Sequence, residues 1–559
     1  MLFPESKDTQ RLERIKTDPF YKTFMDELEE ICGYYGAEKT KAVQIDEFMI
    51  VYDTGSRKEY EQAYFARRSK LNGFFMRFLL YEREDDKREL ENIIWAICDE
   101  FTWAVPAHVD IASPMEDIHT HIDLFSAETA QALAEISYVL GDKLSEPVRR
   151  RIRYEVMART IDSFADRTFP WERRTNNWSA VCAGCVGMTY IYLAPERYKA
   201  VEPRIMAALD CFLSGYGDDG ACAEGLGYWT YGFGYFLYFA QLLLEFNGTD
   251  IIHNEKIRNI AMFQQHMYMQ GDWTVSFSDG HMRNWFQAGL AFYLKKIFPD
   301  SVEVPLLEYR ARSAAGSGVN LIRFASFVRQ FFWTDPAILP KESKSGDAYY
   351  ENAQWFIARR EKYAFAAKGG NNAEPHNHND LGSFILTAGG KQCLCDLGAG
   401  EYTRGYFSAE ERYTFLCNAS RGHSVPIIDG WEQKAGKDYK ARVLCHTPDQ
   451  FAVALEGGYD NPALESLTRS FSLEAEGIQM RDTFQFTDAG HQITERFITI
   501  VPPEKTSGAV KIGAVSLLCG TEPVISEEVI KDHNAEDLRV YFIDYPAGDT
   551  FEITFRVDA

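Results

Sequence analysis

The residue types most able to do chemistry crowd into Glu374-Pro-His-Asn-His-Asn-Asp-Leu-Gly382 and the run that follows it to Gly430. His376 and His378 stand two apart. Asp396 follows in Lys391-Gln-Cys-Leu-Cys-Asp-Leu-Gly398, and His423 in Ser420-Arg-Gly-His-Ser-Val-Pro-Ile-Ile-Asp-Gly430. Two imidazoles and a carboxylate drawn from these four could hold a zinc ion, which accepts N and O ligands in a tetrahedral shell. The remaining histidine would then be free for proton or charge chemistry. The chain has only 12 histidines in 559 residues, so three within one window stand out against a chance cluster of surface polar groups. In an extended strand His376 and His378 would point to the same side. One of them can face a cleft and the other a metal only if the segment is irregular or the metal lies just under the cleft wall.

Two further constellations lie earlier. In Arg173-Arg-Thr-Asn-Asn-Trp178, before the apolar run Ala180–Leu193, Thr175 or Asn176 can cap a helix with Asn177 in its first turn. A plain cap accounts for this. The functional alternative is that an asparagine amide and the helix N-terminus together receive a carboxylate. In Asp218-Asp-Gly-Ala-Cys-Ala-Glu-Gly-Leu-Gly-Tyr-Trp-Thr-Tyr-Gly-Phe-Gly-Tyr235 a glycine-rich turn leads into a helix. Tyr228, Tyr231 and Tyr235 share one face of it. Core packing is one use of such a stripe. Glycines at 225, 227, 232 and 234, each weakening a helix by up to roughly 1 kcal/mol, suggest another: a sugar ring approaching the backbone beside Glu224, with tyrosines as platform or acid and base.

Stepping outward, apolar positions recur at three and four through Tyr21–Tyr35, Tyr60–Leu80, Leu90–Phe101, Ala127–Leu140, Pro147–Phe164, Trp178–Leu193, Ile205–Leu213, Tyr228–Phe246, Ile257–Gln270 and Trp285–Phe298. So many consecutive helices without interleaved strands predict stacked helical hairpins, a solenoid or an α/α toroid, over residues 1–345. Beyond the polar stretch Lys341–Asp347 the texture changes to short β-rich runs, among them Ala364–Lys368, Ser383–Thr387, Ala452–Glu456, Ile478–Phe486, Arg496–Ile500 and Thr550–Phe555. These predict an antiparallel β-sandwich over 346–559. A cleft between the two halves would be the natural place for a site.

Composition sets bounds. At 46% hydrophobic and 14% aromatic residues the chain is globular, and a net charge of -23 argues against a nucleic-acid binder. That charge sits awkwardly with a polyanionic ligand, although it does not decide a local cleft. The clusters Arg149–Arg151, Arg173-Arg174 and Arg359-Arg360 read first as solvated faces. The 11 cysteines are scattered, and Cys182-x-x-Cys185 in a small-residue apolar stretch reads as buried thiol. The start of the chain has no apolar segment after a basic one, and no apolar run reaches spanning length, so a cytoplasmic protein without a membrane partner is expected.

In one order, Asn176-Asn177-Trp178, Glu224-Gly-x-Gly-Tyr-Trp-x-Tyr231, His376-Asn-His-Asn-Asp380 and the Asp396/His423 pair resemble the heparinase II/III-like polysaccharide lyases. Trp103-Ala-Val-Pro-Ala-His108 and Asp123-Leu-Phe-Ser-Ala127 look like toroid helices of the same family. The resemblance implies an (α/α) toroid followed by an antiparallel β-sandwich, and β-elimination at a uronic acid in an anionic polysaccharide or oligosaccharide. It implies that Asn177, with Asn176 beside it, neutralises the uronate carboxylate. Tyr231, rather than Tyr228, would be the acid and often the base, and His376 the catalytic histidine. His378, Asp396 and His423 would bind one structural zinc ion. Tyr413 matches a tyrosine that lines the cleft in some members. Arg173, Arg174 or His376 could supply the positive charge a tyrosine base needs. Trp178 stands where some members have a histidine, which puts an anti-elimination role for a histidine there in doubt. Glycosaminoglycans and alginate share the uronate and both stay open, as does assembly of identical chains. Two other classes remain: a toroid glycoside hydrolase using Glu224 with Asp218, Asp219 or Asp279, and a carbohydrate-binding protein without turnover.

Overall fold

The computed structural model describes residues 2–36, 40, 42–284, 286–307, 322–341 and 346–558. Trp285 at the head of one expected helix, and 342–345 in the expected linker, lie outside the described residues. Between Thr9 and Trp333 the regular structure of the described residues is helical, apart from one antiparallel hairpin of Tyr268–Gln270 with Trp273–Thr274. That hairpin replaces the end of the helix expected over Ile257–Gln270. The helices stop at Met267, and Gly271, at φ 56°, turns the chain back so that Tyr268 pairs with Thr274. Among the described residues no helix is long and apolar enough to cross a membrane.

Five helices position the site: α1 (Ile45–Thr54), α2 (Lys58–Tyr81), α3 (Leu124–Leu140), α4 (Asn177–Leu193) and α5 (Leu226–Asn247). Their ends are written in the sequence. Asp123 caps α3 by accepting from Ser126 N at 2.8 Å, and Asn176 caps α4 by accepting from Trp178 N at 3.3 Å. Gly225 at φ 98° opens α5, and Gly248 at φ 80° closes it. α4 and α5 lie close because their facing residues are small. A Cβ on Gly187 would come within 2.4 Å of the Phe239 ring, and one on Gly232 within 3.2 Å of Asn177 Cα. Gly234 faces Tyr238 and Leu290, so of the four glycines only Gly227 would take a Cβ without crowding, in ordinary contact with His281 at 3.7 Å and Asn284 at 3.9 Å. Three of the four therefore serve turn geometry and helix packing, not the approach of a sugar ring.

From Gly346 onward the described chain forms antiparallel sheets. A five-stranded meander, Gly346–Tyr350, Trp355–Arg359, Tyr363–Lys368, Phe384–Ala388 and Lys391–Leu394, lies between the helices and an eight-stranded sheet. Its three central strands are buried on both faces, which explains runs such as Tyr363-Ala-Phe-Ala-Ala-Lys368. Alternate residues divide between two cores: Ile357, Ala364 and Ala366 join the helical core, and Phe356, Phe365 and Phe384 the sandwich core. A four-stranded sheet, with Ile493–Thr499 and Asp537–Ala547 at its centre, completes the sandwich.

Arg359 is not the solvated residue its dibasic neighbourhood suggests. It is 4% exposed, and its guanidinium donates to the carbonyls of Gln265, His266 and Tyr268, clamping the meander to the hairpin of the helical half. Replacing it would leave three buried acceptors without a donor, each costing about 1–3 kcal/mol. Arg359→Ala is expected to lower stability by at least about 3 kcal/mol, read as a fall in the urea midpoint. A change below about 1 kcal/mol would mean that the clamp is not needed to join the halves.

Candidate active site

The two halves meet around one carboxylate, Asp279. It lies in the loop after the Trp273–Thr274 strand, where Phe277 and Val275 are buried on the helical side. Backbone contacts hold this loop to the sandwich: Ala399 N donates to Gly280 O at 2.9 Å, and Ser276 Oγ to Asp396 O at 2.9 Å. Asp279 has no exposed side-chain surface. It accepts from His376 Nδ1 at 2.6 Å, His378 Nε2 at 2.9 Å, Tyr402 OH at 3.2 Å, Tyr406 OH at 2.5 Å and Arg412 Nη2 at 3.2 Å. Burial alone would raise its pKa. The bonds and charge of the two histidines outweigh it and hold the carboxyl well below the usual range.

His376 and His378 reach opposite oxygens of this carboxylate because the segment is not a strand. His376 sits in the left-handed region at φ 58°, so the two rings approach Asp279 from different directions. The His376 ring lies 4.6 Å from the Tyr228 ring, tilted by 30°, and its Nε2 is 3.4 Å from Glu224 Oε2. Burial pulls the His376 pKa down, and Asp279 and Glu224 more than restore it, so it ends above the ordinary value. Glu224 is 7% exposed and its Oε2 has no hydrogen-bond partner among the described residues. Burial pushes its pKa up to about 7 against the pull of His376.

The tyrosine stripe on α5 divides between two networks. Tyr228 OH shares a 2.8 Å hydrogen bond with Tyr402 OH, which leads to Asp279. Tyr231 OH donates to Glu128 on α3, and Tyr235 OH donates to the other oxygen of the same carboxylate at 2.8 Å. Arg323 pairs with Glu128 and lies 3.4 Å over the Tyr231 ring. Asn177, 5% exposed at the first turn of α4, backs onto Gly232 of α5, one turn beyond Tyr228. Its amide makes no hydrogen bond to the described residues, whereas Asn176 is spent on the cap. Arg174 stacks on Trp178 at 4.7 Å. Tyr413 sits half-exposed on the turn Arg412–Thr414 and makes no hydrogen bond to this cluster; its neighbour Arg412 does. Asp218 is solvent-exposed, and Asp219 accepts from Asn352 N at 2.8 Å, outside the cluster.

His378, Asp396 and His423 form a fully buried group whose candidate ligand atoms lie within 4.8 Å of one another. Their hydrogen bonds fit a metal. His378 directs Nε2 to Asp279 and leaves Nδ1 buried without a partner. His423 directs Nε2 to Cys417 O at 2.8 Å, so its Nδ1, 3.0 Å from Asp396 Oδ2, carries the lone pair. Both imidazoles thus have the outer nitrogen fixed by an acceptor, as metal-bound histidines do. The inner nitrogen of His378 has no partner among the described residues, and that of His423 faces Asp396, itself a candidate ligand, which raises the His423 pKa. Burial and the neighbouring His423 leave the His378 pKa lowered, which favours its neutral, ligating form.

Asp279, Glu128, Arg323, Tyr402 and Arg412 are what sequence reasoning missed or named only in passing. Ser278-Asp279-Gly280 reads as an ordinary turn, and Glu128 and Arg323 as helix-face charges. Asp279→Asn keeps the shape but can no longer accept from five donors as an anion. It is expected to lower stability by about 3–5 kcal/mol and to release the His376 ring, visible as a shifted imidazole resonance. An unchanged urea midpoint together with an unshifted resonance would show that the carboxylate charge is not what holds the cluster.

Residues 343–517 match the family profile described as heparinase II/III-like, C-terminal. No curated protein sequence matches the chain. Among solved structures, heparinase III aligns at a TM-score of 0.59 with 13% identity, covering 100% of this chain and 94% of that one. A mutant of heparan sulfate lyase HepC from Pedobacter heparinus aligns at 0.58 with 12% identity, covering 98% and 91%. Chondroitin AC lyase of Streptomyces coelicolor A3, in complex with chondroitin sulphate, aligns at 0.54 with 10% identity, covering 100% and 83%. The sandwich half of this chain carries a heparinase II/III-like C-terminal domain, and the whole chain has the fold of heparinase III: a helical toroid followed by an antiparallel β-sandwich.

Proposed function

We propose that this chain is a polysaccharide lyase that cleaves uronic-acid-containing glycosaminoglycans, such as heparan sulfate, by β-elimination. The observation that carries the reading is the meeting of His376, Tyr228 and Glu224 at the domain boundary, on the fold of heparinase III and chondroitin AC lyase, with Asn177 packed on Gly232 one helical turn from Tyr228 and its amide without a partner among the described residues. The reaction removes the C5 proton of the uronate. The electron pair passes through the carboxylate-stabilised enolate to form the C4–C5 double bond, and the C4–O bond breaks as the leaving oxygen takes a proton. The weak acidity of C5–H is the obstacle. In this reading Asn177, at the positive end of α4, receives the uronate carboxylate, and His376 adds positive charge beside it.

Tyr231 is the proposed base and acid. Its hydroxyl already donates to Glu128, and Arg323 covers its ring, so a phenolate would have a proton acceptor and a counter-cation in place. The phenolate takes the C5 proton and delivers it to the leaving oxygen, which restores its starting form. Tyr231→Phe is expected to lower turnover by about 10²–10⁴ while heparan sulfate still binds. Ultraviolet absorbance of the unsaturated uronate reads this in a screen of heparan sulfate, heparin, hyaluronan, chondroitin sulfate and alginate. Near-normal turnover in Tyr231→Phe with loss in Tyr228→Phe would transfer the role to Tyr228.

We infer that His378, Asp396 and His423 hold one zinc ion, supported by their candidate ligand atoms lying within 4.8 Å of one another and by the unpartnered inner nitrogen of His378 among the described residues. When bound, it would cross-link the loops around His376 and take no part in proton transfer. The purified protein is expected to contain one zinc per chain and to melt at a lower temperature after chelation, with His378→Ala showing the same loss. Zinc at trace level with melting unchanged by chelator would refute this assignment.

A further inference from the structure

A succession of contacts leads from one side of the candidate site to the other, and its last link joins the two halves at residues far apart in sequence. On one side Asn177 backs onto Gly232 of α5, and the neighbouring Trp178 ring lies 4.8 Å from the His108 ring. The His108 turn is tied to α1, since Tyr52 OH donates to Pro106 O at 2.8 Å and Val109 O at 2.9 Å. α1 ends at Gly55, and a Cβ there would lie 3.3 Å from Arg404 Cβ on the sandwich. Arg404 caps the turn Gly405–Phe407, whose Phe407 ring is 6.1 Å from His376. His376 in turn rests on Tyr228, one helical turn from Gly232.

Both halves of the Gly55–Arg404 link are braced. Phe48 of α1 packs edge-on against Tyr60 of α2 at 5.9 Å, and Tyr402 packs against Phe407 at 4.9 Å and His533 at 4.5 Å. A polymer cannot be laid sideways into a closed ring; only an end can be threaded through it.

We propose that the contact of Gly55 with Arg404 closes the rim of the site, so that the enzyme acts on chain ends and releases small unsaturated products one after another. This rests on the lyase reading above and narrows its substrate to chains that present a free end. Arg404 at the closure and Arg174 on Trp178 are the cations near the rim, placed to meet an anionic chain as it enters.

The test takes the unaltered protein and whichever polymer of the screen it cleaves, and separates time-course samples by size. End-on action predicts that ultraviolet absorbance appears only at mono- or disaccharide size from the earliest sample, while the parent peak keeps its position. At equal mass and below saturation, halving the chain length should raise the rate about twofold, because the number of ends doubles. An early ladder of intermediate sizes, with a rate independent of chain length, would overturn the proposal and leave the lyase reading intact. Absence of unsaturated product from every uronate polymer and from their short oligosaccharides would overturn both. As a second arm, the double variant Gly55→Cys with Arg404→Cys places two Cβ atoms about 3.3 Å apart, just inside the spacing of about 3.5–4.5 Å that a disulfide needs. Because Gly55 has φ 82°, where a side chain is strained, the reduced variant is first shown to melt cooperatively and to cleave short oligosaccharides. Oxidation should leave its rate on short oligosaccharides within about twofold of the reduced form. Loss on oxidation and recovery on reduction would show that the rim must open for substrate to bind.

Discussion

A buried carboxylate cannot stay charged alone, and most of the domain boundary follows from that constraint at Asp279. Taking an anion out of water costs several kcal/mol even after relaxation, and the group survives as an anion only if donors surround it. Here the donors come from three separate stretches of the sandwich, at His376 and His378, at Tyr402 and Tyr406, and at Arg412, while the carboxylate itself belongs to the helical half. The loops that carry the chemistry are therefore ordered by one charge they all share. The same charge links the two roles of the His-x-His pair: one oxygen holds the cleft-facing ring, and the other fixes the tautomer of the ring proposed to bind zinc.

The tyrosine stripe shows how one helix face can serve two electrostatic settings. Tyr228 and Tyr231 are three residues apart on α5, yet Tyr228 reaches a chain of hydroxyls ending on Asp279, and Tyr231 reaches Glu128 with a guanidinium on its ring. Burial raises both phenol pKa values, but the strongest opposing influence on Tyr231 is the charge of Arg323, whereas on Tyr228 it is the hydrogen bond to Tyr402. A full counter-cation favours a phenolate more than a neutral hydroxyl does. Glu128 opposes that phenolate while it is charged, so the proposal that Tyr231 transfers the proton includes uptake of the phenol proton by Glu128.

The architecture was legible because hydrophobic period is a local property. Helical spacing through Tyr60–Leu80 and Trp178–Leu193, and period-two runs such as Ile478–Phe486, correspond to α2, α4 and the strand Gly477–Phe486. The grouping of candidate ligands was legible for a related reason: scarce histidines stood out, and His378, Asp396 and His423 do come together. What could not be read were partners supplied from far along the chain. Asp279 looks like a turn residue because its donors are about a hundred residues away, and Arg359 looks solvated because the carbonyls it holds belong to the other half. The glycines of α5 were misread for the same reason. Their small size is required by Asn177, Gly280 and Leu290, none of which is a sequence neighbour.

The same geometry weighs against hydrolysis. Glu224 at about 7 and a strongly acidic Asp279 look at first like the split pair of a glycosidase, one carboxyl protonated and one ionised. A glycosidase needs its ionised carboxylate open to the sugar or to a water on the far face of the ring. Asp279 has no exposed surface and all its acceptor capacity is taken by five protein donors, so neither a sugar carbon nor a water can reach it. The other two acids of that reading lie elsewhere, Asp218 in solvent and Asp219 bound to the backbone at Asn352. Of the acids of that reading, Glu224 remains beside His376, an imidazole whose charge its own ionisation would balance. Glu128, the other carboxyl near the tyrosines, is held by Tyr231, Tyr235 and Arg323, so the pair is poor equipment for displacement at an anomeric carbon. The arrangement suits a reaction in which a sugar carboxylate must be held and neutralised while a neighbouring proton leaves.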